Sequence, residues 1–173
     1  MKSLAQPFED LLITPVSDGP FFVNELFRRK FDHDAPDYGH PVVCFYRHEN
    51  RHFMPLCYTS FLPFDEVILV GGAMTDGRVY KVMDEGLAND IRASGGIYYH
   101  VLKFAFDHFS DQCEAFFGHA GDPRAYQVDI NAGFEPTPHE FLIAHFHKPL
   151  TEQRRRYLCL LYTSDAADEY KRV

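Results

Sequence analysis

Two stretches of this 173-residue chain hold residue types whose spacing could do chemistry. The first is Arg92-Ala93-Ser94-Gly95-Gly96-Ile97, a glycine turn that feeds an apolar-periodic run. A glycine turn at a helix N-terminus leaves backbone N–H groups free and points the positive end of the dipole outward, which suits a pyrophosphate. A Gly-Gly between two helices is more often a plain break. The second runs from Gly118 through Asp122-Pro123-Arg124-Ala125-Tyr126 and Asp129 to Gly133-Phe134, and reads as loop, short helix, Gly-Phe, strand. Further on, His139, His145 and His147 fall on one face of an alternating strand. An H-x-H pair can serve zinc or iron, but no spacing fixes a third and fourth ligand. A row of polar side chains on a half-exposed strand accounts for the pattern, and no metal is expected. The cysteines, Cys44, Cys57, Cys113 and Cys159, include no C-x-x-C pair and read as reduced, buried thiols of a cytoplasmic protein. No Ser-His-Asp order, Walker loop or paired-carboxylate motif occurs.

Composition narrows the partners. With 17 Lys+Arg against 25 Asp+Glu the formal charge is −8, the wrong sign for neutralising phosphates, so no nucleic-acid partner is expected. The one basic run, Arg154-Arg155-Arg156, is short. No apolar stretch approaches the roughly 20 residues that cross a bilayer, and the N-terminus has no apolar signal-peptide segment, so neither a membrane nor export is expected. Hydrophobic residues at 46 % and charged residues at 24 % are ordinary for a globular domain.

The elements that must position these residues follow from pattern. Residues 8–16 read as a first strand ended by Pro15. Asp18 caps a helix with Pro20 in its first turn and Phe22, Val23, Leu26 and Phe27 on its buried face. After a polar loop, 42–46 and 53–61 form a hairpin, and 66–73 is an apolar run of central-strand length. Residues 79–93 read as a weakly amphipathic helix. A second helix spans 97–109, where Tyr98, Tyr99, Phe104 and Phe106 are more aromatics than one buried face requires, so that some could line a substrate pocket. A strand at 113–117, a helix from Asp122-Pro123 to Gly133 and a strand at 141–147 complete an α/β or α+β chain. There are no internal repeats, so 1–158 is read as one domain.

The Asp122–Phe134 segment resembles the GCN5-related N-acetyltransferase (GNAT) family. That family has Asn, then Ala three residues on, Tyr four later, and Gly-Phe four and five beyond; here the positions hold Asp122, Ala125, Asp129, Gly133 and Phe134. The family's pyrophosphate motif of Gln or Arg, two residues, Gly, one residue, and Gly or Ala is matched by Arg92, Gly95 and Gly96, with Ile97 in the last place. About twenty residues separate Ala73 from Gly95, where the family puts the motif directly after its fourth strand. The resemblance implies a mixed, mostly antiparallel central sheet flanked by helices, with acetyl-CoA wedged between two splayed parallel strands at 66–73 and 113–118. Val70, Gly71, Gly72 and Ala73 would face the pantetheine arm, while Arg92, Gly95, Gly96, Asp122 and Ala125 would complete the acetyl-CoA site. It further implies acyl transfer to an amine, on a small molecule or a peptide. The family's tyrosine often protonates the leaving thiolate. Its place is taken here by Asp129, which can do so only if burial raises its pKa, and Tyr126, three residues earlier on nearly the same face, is the candidate acid. Glu66, or water near it, is the candidate base. The alternative is the same fold acting as a ligand-binding or interaction module without transfer.

Residues Cys159 to Glu169 resemble one reading frame of a transposase-type adapter used to build sequencing libraries. On that resemblance 159–173 is expected to be a foreign tail on a domain truncated near Leu158. The acidic balance survives its removal.

Overall fold

The computed structural model describes residues 2–3, 8–49 and 52–162. Eight strands form one sheet: β1 (Lys2–Ser3), β2 (Leu11–Pro15), β3 (His40–Arg47), β4 (Phe53–Phe64), β5 (Val67–Thr75), β6 (Ala115–His119), β7 (Glu135–Pro136) and β8 (Leu142–His145), in spatial order β1-β2-β3-β4-β5-β6-β8-β7. Every neighbouring pair is antiparallel except β5 and β6. The helices are α1 (Gly19–Phe31), α2 (Glu85–Ala93), α3 (Ile97–Phe109), α4 (Pro123–Ala132) and α5 (Glu152–Leu161), with short 3-10 turns at Val79–Lys81 and Ser110–Gln112.

Strand alternation covers both faces of the sheet. Ile68 and Val70 of β5, with Phe116 of β6, pack against α3 through Val101, Leu102, Ala105 and Phe109. Val67, Leu69 and Phe117, facing the other way, meet Leu158 and Cys159 of α5. Val43 and Tyr58 on that second side are covered by Val23, Leu26 and Phe27 of α1. Period-two alternation thus assigns each strand residue to one helix layer.

Most helix ends lie where local chemistry sets them. Asp18 accepts from the Phe21 N–H at 2.9 Å and starts α1, and Asp122 accepts from Arg124 and Ala125 N–H groups, both at 2.9 Å, to start α4. Gly133 ends α4 at φ +118. The expected single helix over 79–93 is instead a 3-10 turn followed by α2. Asp84 claims the Leu87 N–H at 3.1 Å and restarts the helix at Glu85. The first strand is shorter than expected, beginning at Leu11, whose N–H bonds back to Phe8. The last strand is also shorter: β8 pairs with β6 only from Leu142 to His145, and Phe141 at φ +63 turns the chain before it. His139 therefore lies outside the strand and shares no face with His145. Sequence pattern had given no sign of β1, β7 or α5. Helix α5 runs through Cys159 to Leu161, and Tyr162 stacks on Phe117 at 5.3 Å, so the first residues of the expected foreign stretch are built into the fold; 163–173 lie outside the described residues.

Gly39, in the loop before β3, sits at φ +74, and a Cβ there would lie 2.7 Å from the Phe61 carbonyl oxygen and 3.0 Å from the Leu62 Cα. Backbone cannot yield as a side chain tip can. Gly39→Ala is expected to lower unfolding free energy by roughly 2–3 kcal/mol in a urea melt, and an unchanged midpoint would show that the loop has room.

Candidate active site

The site begins where β5 and β6 part. Their parallel ladder runs from Val67↔Ala115 to Val70↔Gly118 and stops. Beyond it β5 bulges. Ser60 of β4 pairs with Gly71 and Tyr58 with Met74, so Gly72 and Ala73 face only Thr59 across the ladder. The extra residue bends β5 away from β6. Gly72 takes φ +64, and a Cβ there would lie 3.0 Å from the Pro36 Cγ, so glycine is required at this point. The Thr59 hydroxyl pins the bulge by donating to the Gly71 carbonyl at 3.2 Å.

A cavity of about 310 Å³ fills the gap. Val70, Gly71, Gly72 and Ala73 form one wall, Gly118 to Asp122 the other, and Ala125 and Asp129 of α4 and Tyr98 of α3 close it. A second, larger cavity of about 840 Å³ lies under α1, lined by Asn24, Phe27, Phe31, His33, Asp34, Pro36, Asp37 and Tyr38 among others. The two share Gly72 and Ala73, so the bulge is where their contents would meet.

Asp129 is 5 % exposed. Burial pushes its carboxyl up to about 7, against a smaller lowering by a hydrogen bond with the Tyr98 hydroxyl. Asp122, at the mouth, is the opposite case: the Ala125 and Arg124 N–H groups hold it below the usual carboxylate range. Below α1, Asp34 is bound by Arg28, whose Nη2 donates to it at 3.0 Å, and the Asn24 side chain accepts from the Ala35 N–H at 2.8 Å.

Of the residues singled out by sequence, the structure brings Val70, Gly71, Gly72, Ala73, Asp122 and Ala125 to one cavity. Arg92, Gly95 and Gly96 stand apart from its lining. Arg92 lies over the Tyr80 ring at 5.3 Å and donates to Asn89, and the Gly95 and Gly96 N–H groups bond to Arg92 and Ile91 carbonyls. Gly96 is the N-cap of α3, two residues before Tyr98. Tyr126, on α4, is half-buried against the core and does not line the cavity. Glu66 is at the wrong end of β5, about 13 Å of strand from Val70, and pairs with Arg154 at 3.3 Å; it is misplaced for a base at the bulge.

The histidines are held by main chain. His145 Nδ1 lies 2.7 Å from the Gly133 carbonyl oxygen and its ring stacks on Phe106 at 4.0 Å, while His147 Nε2 lies 2.8 Å from the Ser110 carbonyl oxygen. Among the described residues no three His, Cys, Asp or Glu side chains group as metal ligands would. All four cysteines are buried, and burial pushes the Cys57 and Cys113 thiols up to about 12, far from a nucleophilic thiolate. Among the described residues no helix is long and apolar enough to cross a membrane.

A mixed sheet whose one parallel pair parts over a bulge, with helices on both faces, is the architecture of the GNAT acetyltransferases. No family model matches the sequence, and no curated protein matches it either. Among solved structures, the ribosomal-protein-S5-alanine acetyltransferase of Vibrio fischeri superposes with a TM-score of 0.52 at 12 % identity, over 84 % of this chain and 100 % of that one. A spermidine N-acetyltransferase SpeG chimera from Vibrio cholerae and hSSAT gives 0.49 at 9 % identity, over 79 % and 95 %. The KacTA–DNA complex gives 0.48 at 14 %, over 90 % and 99 %. The first of these establishes a shared fold.

Proposed function

We propose that this chain is an acyl-CoA-dependent N-acyltransferase that moves an acetyl group to an amine. The observation that carries the reading is the meeting of two cavities at Gly72–Ala73: a narrow one between the parted strands and a broad one under α1. The narrow cavity fits a pantetheine arm. Gly71 and Gly72 carry no side chain to obstruct an extended chain, and Asp129 offers a buried polar group at its α4 wall. The broad cavity fits the acceptor, since its lining includes Asp37 and the exposed Phe31 ring, a carboxylate and an aromatic group of the kind that suit a cationic amine. Chain residues then position the amine nitrogen and the thioester carbonyl at the bulge, which supplies most of the rate through orientation and main-chain polarity.

Acetyl-CoA at millimolar concentration is expected to raise the melting temperature, because a ligand bound only by the native state stabilises it by RT ln(1 + [L]/Kd). No shift would overturn the reading. Free-thiol release from bound acetyl-CoA with an amine panel is the second expected result. Binding with no thiol release favours the alternative, a ligand-binding module, for which the aspartate at position 129 is the motivating feature.

A further inference from the structure

Acetyl-CoA has two halves of opposite character, a neutral pantetheine arm and a nucleotide that carries phosphates. Proteins hold phosphates with guanidinium or ammonium groups, or with main-chain N–H groups at a helix start. The cavity between the parted strands, at about 310 Å³, lies at the small end of ligand cavities, which span roughly 300–1,000 Å³. Among the described residues its lining holds two carboxyl groups, Asp122 and Asp129, and no arginine or lysine. The main-chain donors beside it are occupied. At the start of α4 the Asp122 carboxylate accepts from the Arg124 and Ala125 N–H groups, both at 2.9 Å, so the protein's own negative charge sits where an anion would be held. Arg124 and Lys30, the cations whose charge reaches this mouth, find that carboxylate there. In the glycine turn between α2 and α3 the Ser94 N–H bonds to the Asp90 carbonyl at 3.0 Å, that of Gly95 to Arg92 at 3.3 Å and that of Gly96 to Ile91 at 2.8 Å. The Ser94 hydroxyl lies 3.0 Å from the Ile91 carbonyl oxygen and 2.7 Å from His100 Nε2, and Arg92 donates to Asn89 at 2.9 Å. The turn is thus folded back on α2, and α3 opens at Ile97, a buried residue.

We propose that the donor is recognised through its pantetheine arm alone, so that the site accepts an acetyl thioester of pantetheine with or without the nucleotide. The inference rests on the transferase reading above. The gap suits an uncharged chain: the ladder between the strands stops at Val70↔Gly118, and Gly71, Gly72 and Ala73 leave the path beyond it clear of large side chains. A phosphate brought to the mouth would meet the like charge of Asp122 on a chain whose formal charge is −8. The transfer itself is the same for either donor. The amine nitrogen attacks the thioester carbonyl carbon, the C–N bond forms, and the C–S bond breaks with its electron pair going to sulfur. The proton that the nitrogen sheds ends on the released thiol, whether that thiol belongs to coenzyme A or to pantetheine.

The test uses the whole chain with acetyl-CoA, its 3′-dephospho form and S-acetylpantetheine as donors, and a panel of primary amines that includes a polyamine and a peptide with a free N-terminal alanine. Turnover is read as free thiol. The kcat/KM for S-acetylpantetheine and for the dephospho form is expected to lie within about tenfold of that for acetyl-CoA, a span that a single charge-assisted phosphate contact would exceed. Raising the ionic strength from about 0.05 to 0.5 M should not weaken the use of acetyl-CoA, since no phosphate ion pair is there to be screened. Arg92→Ala and Arg124→Ala should change all three donors by the same factor, whereas loss of a phosphate contact would fall on acetyl-CoA and spare S-acetylpantetheine. A drop of more than tenfold with S-acetylpantetheine, or an arginine variant that harms acetyl-CoA selectively, overturns this proposal and leaves the transferase reading standing. If none of the donors releases thiol, both fall together.

Discussion

Asp129→Asn is expected to be more stable than the wild-type protein at pH 8, by up to about 4 kcal/mol, and no more stable near pH 4. The sign follows from proton counting. The folded carboxyl titrates at about 7 and the unfolded one at its ordinary 3.8. Between those values the folded state holds a proton that the unfolded state has released, so stability from this group is complete below pH 4 and is lost as pH rises through 7. Asparagine has no such proton and pays no penalty for a desolvated charge. Other carboxyls, such as Asp76 and Glu114, are shifted downward by arginine partners. They weaken both proteins alike in acid and cancel in the difference. Urea midpoints at pH 4, 6 and 8 measure the effect, and parallel curves for the two proteins would show that Asp129 is not desolvated.

Phe116→Ala should cost about 3–5 kcal/mol. The ring is fully buried at the centre of β6, 4.8 Å from the Phe106 ring and 5.4 Å from His147. Its removal leaves a void between the sheet and α3 that rigid neighbours cannot fill. Because β6 forms one wall of the cavity, the variant should also bind acetyl-CoA more weakly at temperatures where it remains folded. Denaturant unfolding checks the first effect and calorimetry the second; a loss under about 1 kcal/mol would mean that α3 does not rest on this strand.

Local signals carried far along this chain. Asp18 with Pro20, and Asp122 with Pro123, are caps whose geometry is decided within four residues, so α1 and α4 were legible. The period of 97–109 matched α3 end to end, because seven of its residues are buried on a continuous face. The β3–β4 hairpin was legible from alternation. What failed was non-local. Helix α5 carries a run of arginines, and its seat on the sheet combines Leu158 and Cys159 against Val67, Leu69 and Phe117 with ion pairs of Arg154 to Glu66 and Glu114 and of Arg155 to Glu135, partners that are all distant in sequence. The strand expected to carry three histidines holds only His145, because its pairing with β6 stops there, which no periodicity can reveal. In the site, the glycines at 71 and 72 marked the bulge and the Asp122–Ala125 spacing marked the α4 wall. Asp129 lines its cavity together with Tyr98, contributed by a helix about thirty residues earlier, so its surroundings could only be read once the two helices were seen together. Glu66 misled because acidity was visible in the sequence and position along the strand was not.

The parting of β5 from β6 has a mechanical side as well. Among the described residues a ladder of four residue pairs, with a Glu114 N–H to Glu66 carbonyl bond ahead of it, is the seam that joins the antiparallel strands β1 to β5 to the antiparallel strands β6 to β8 within the sheet. A long molecule lodged in the gap would lengthen that seam by linking both strands past Val70 and Gly118, as a clip does. The halves would then resist separation together rather than one after the other, and the protein would be stiffest while that molecule is in place.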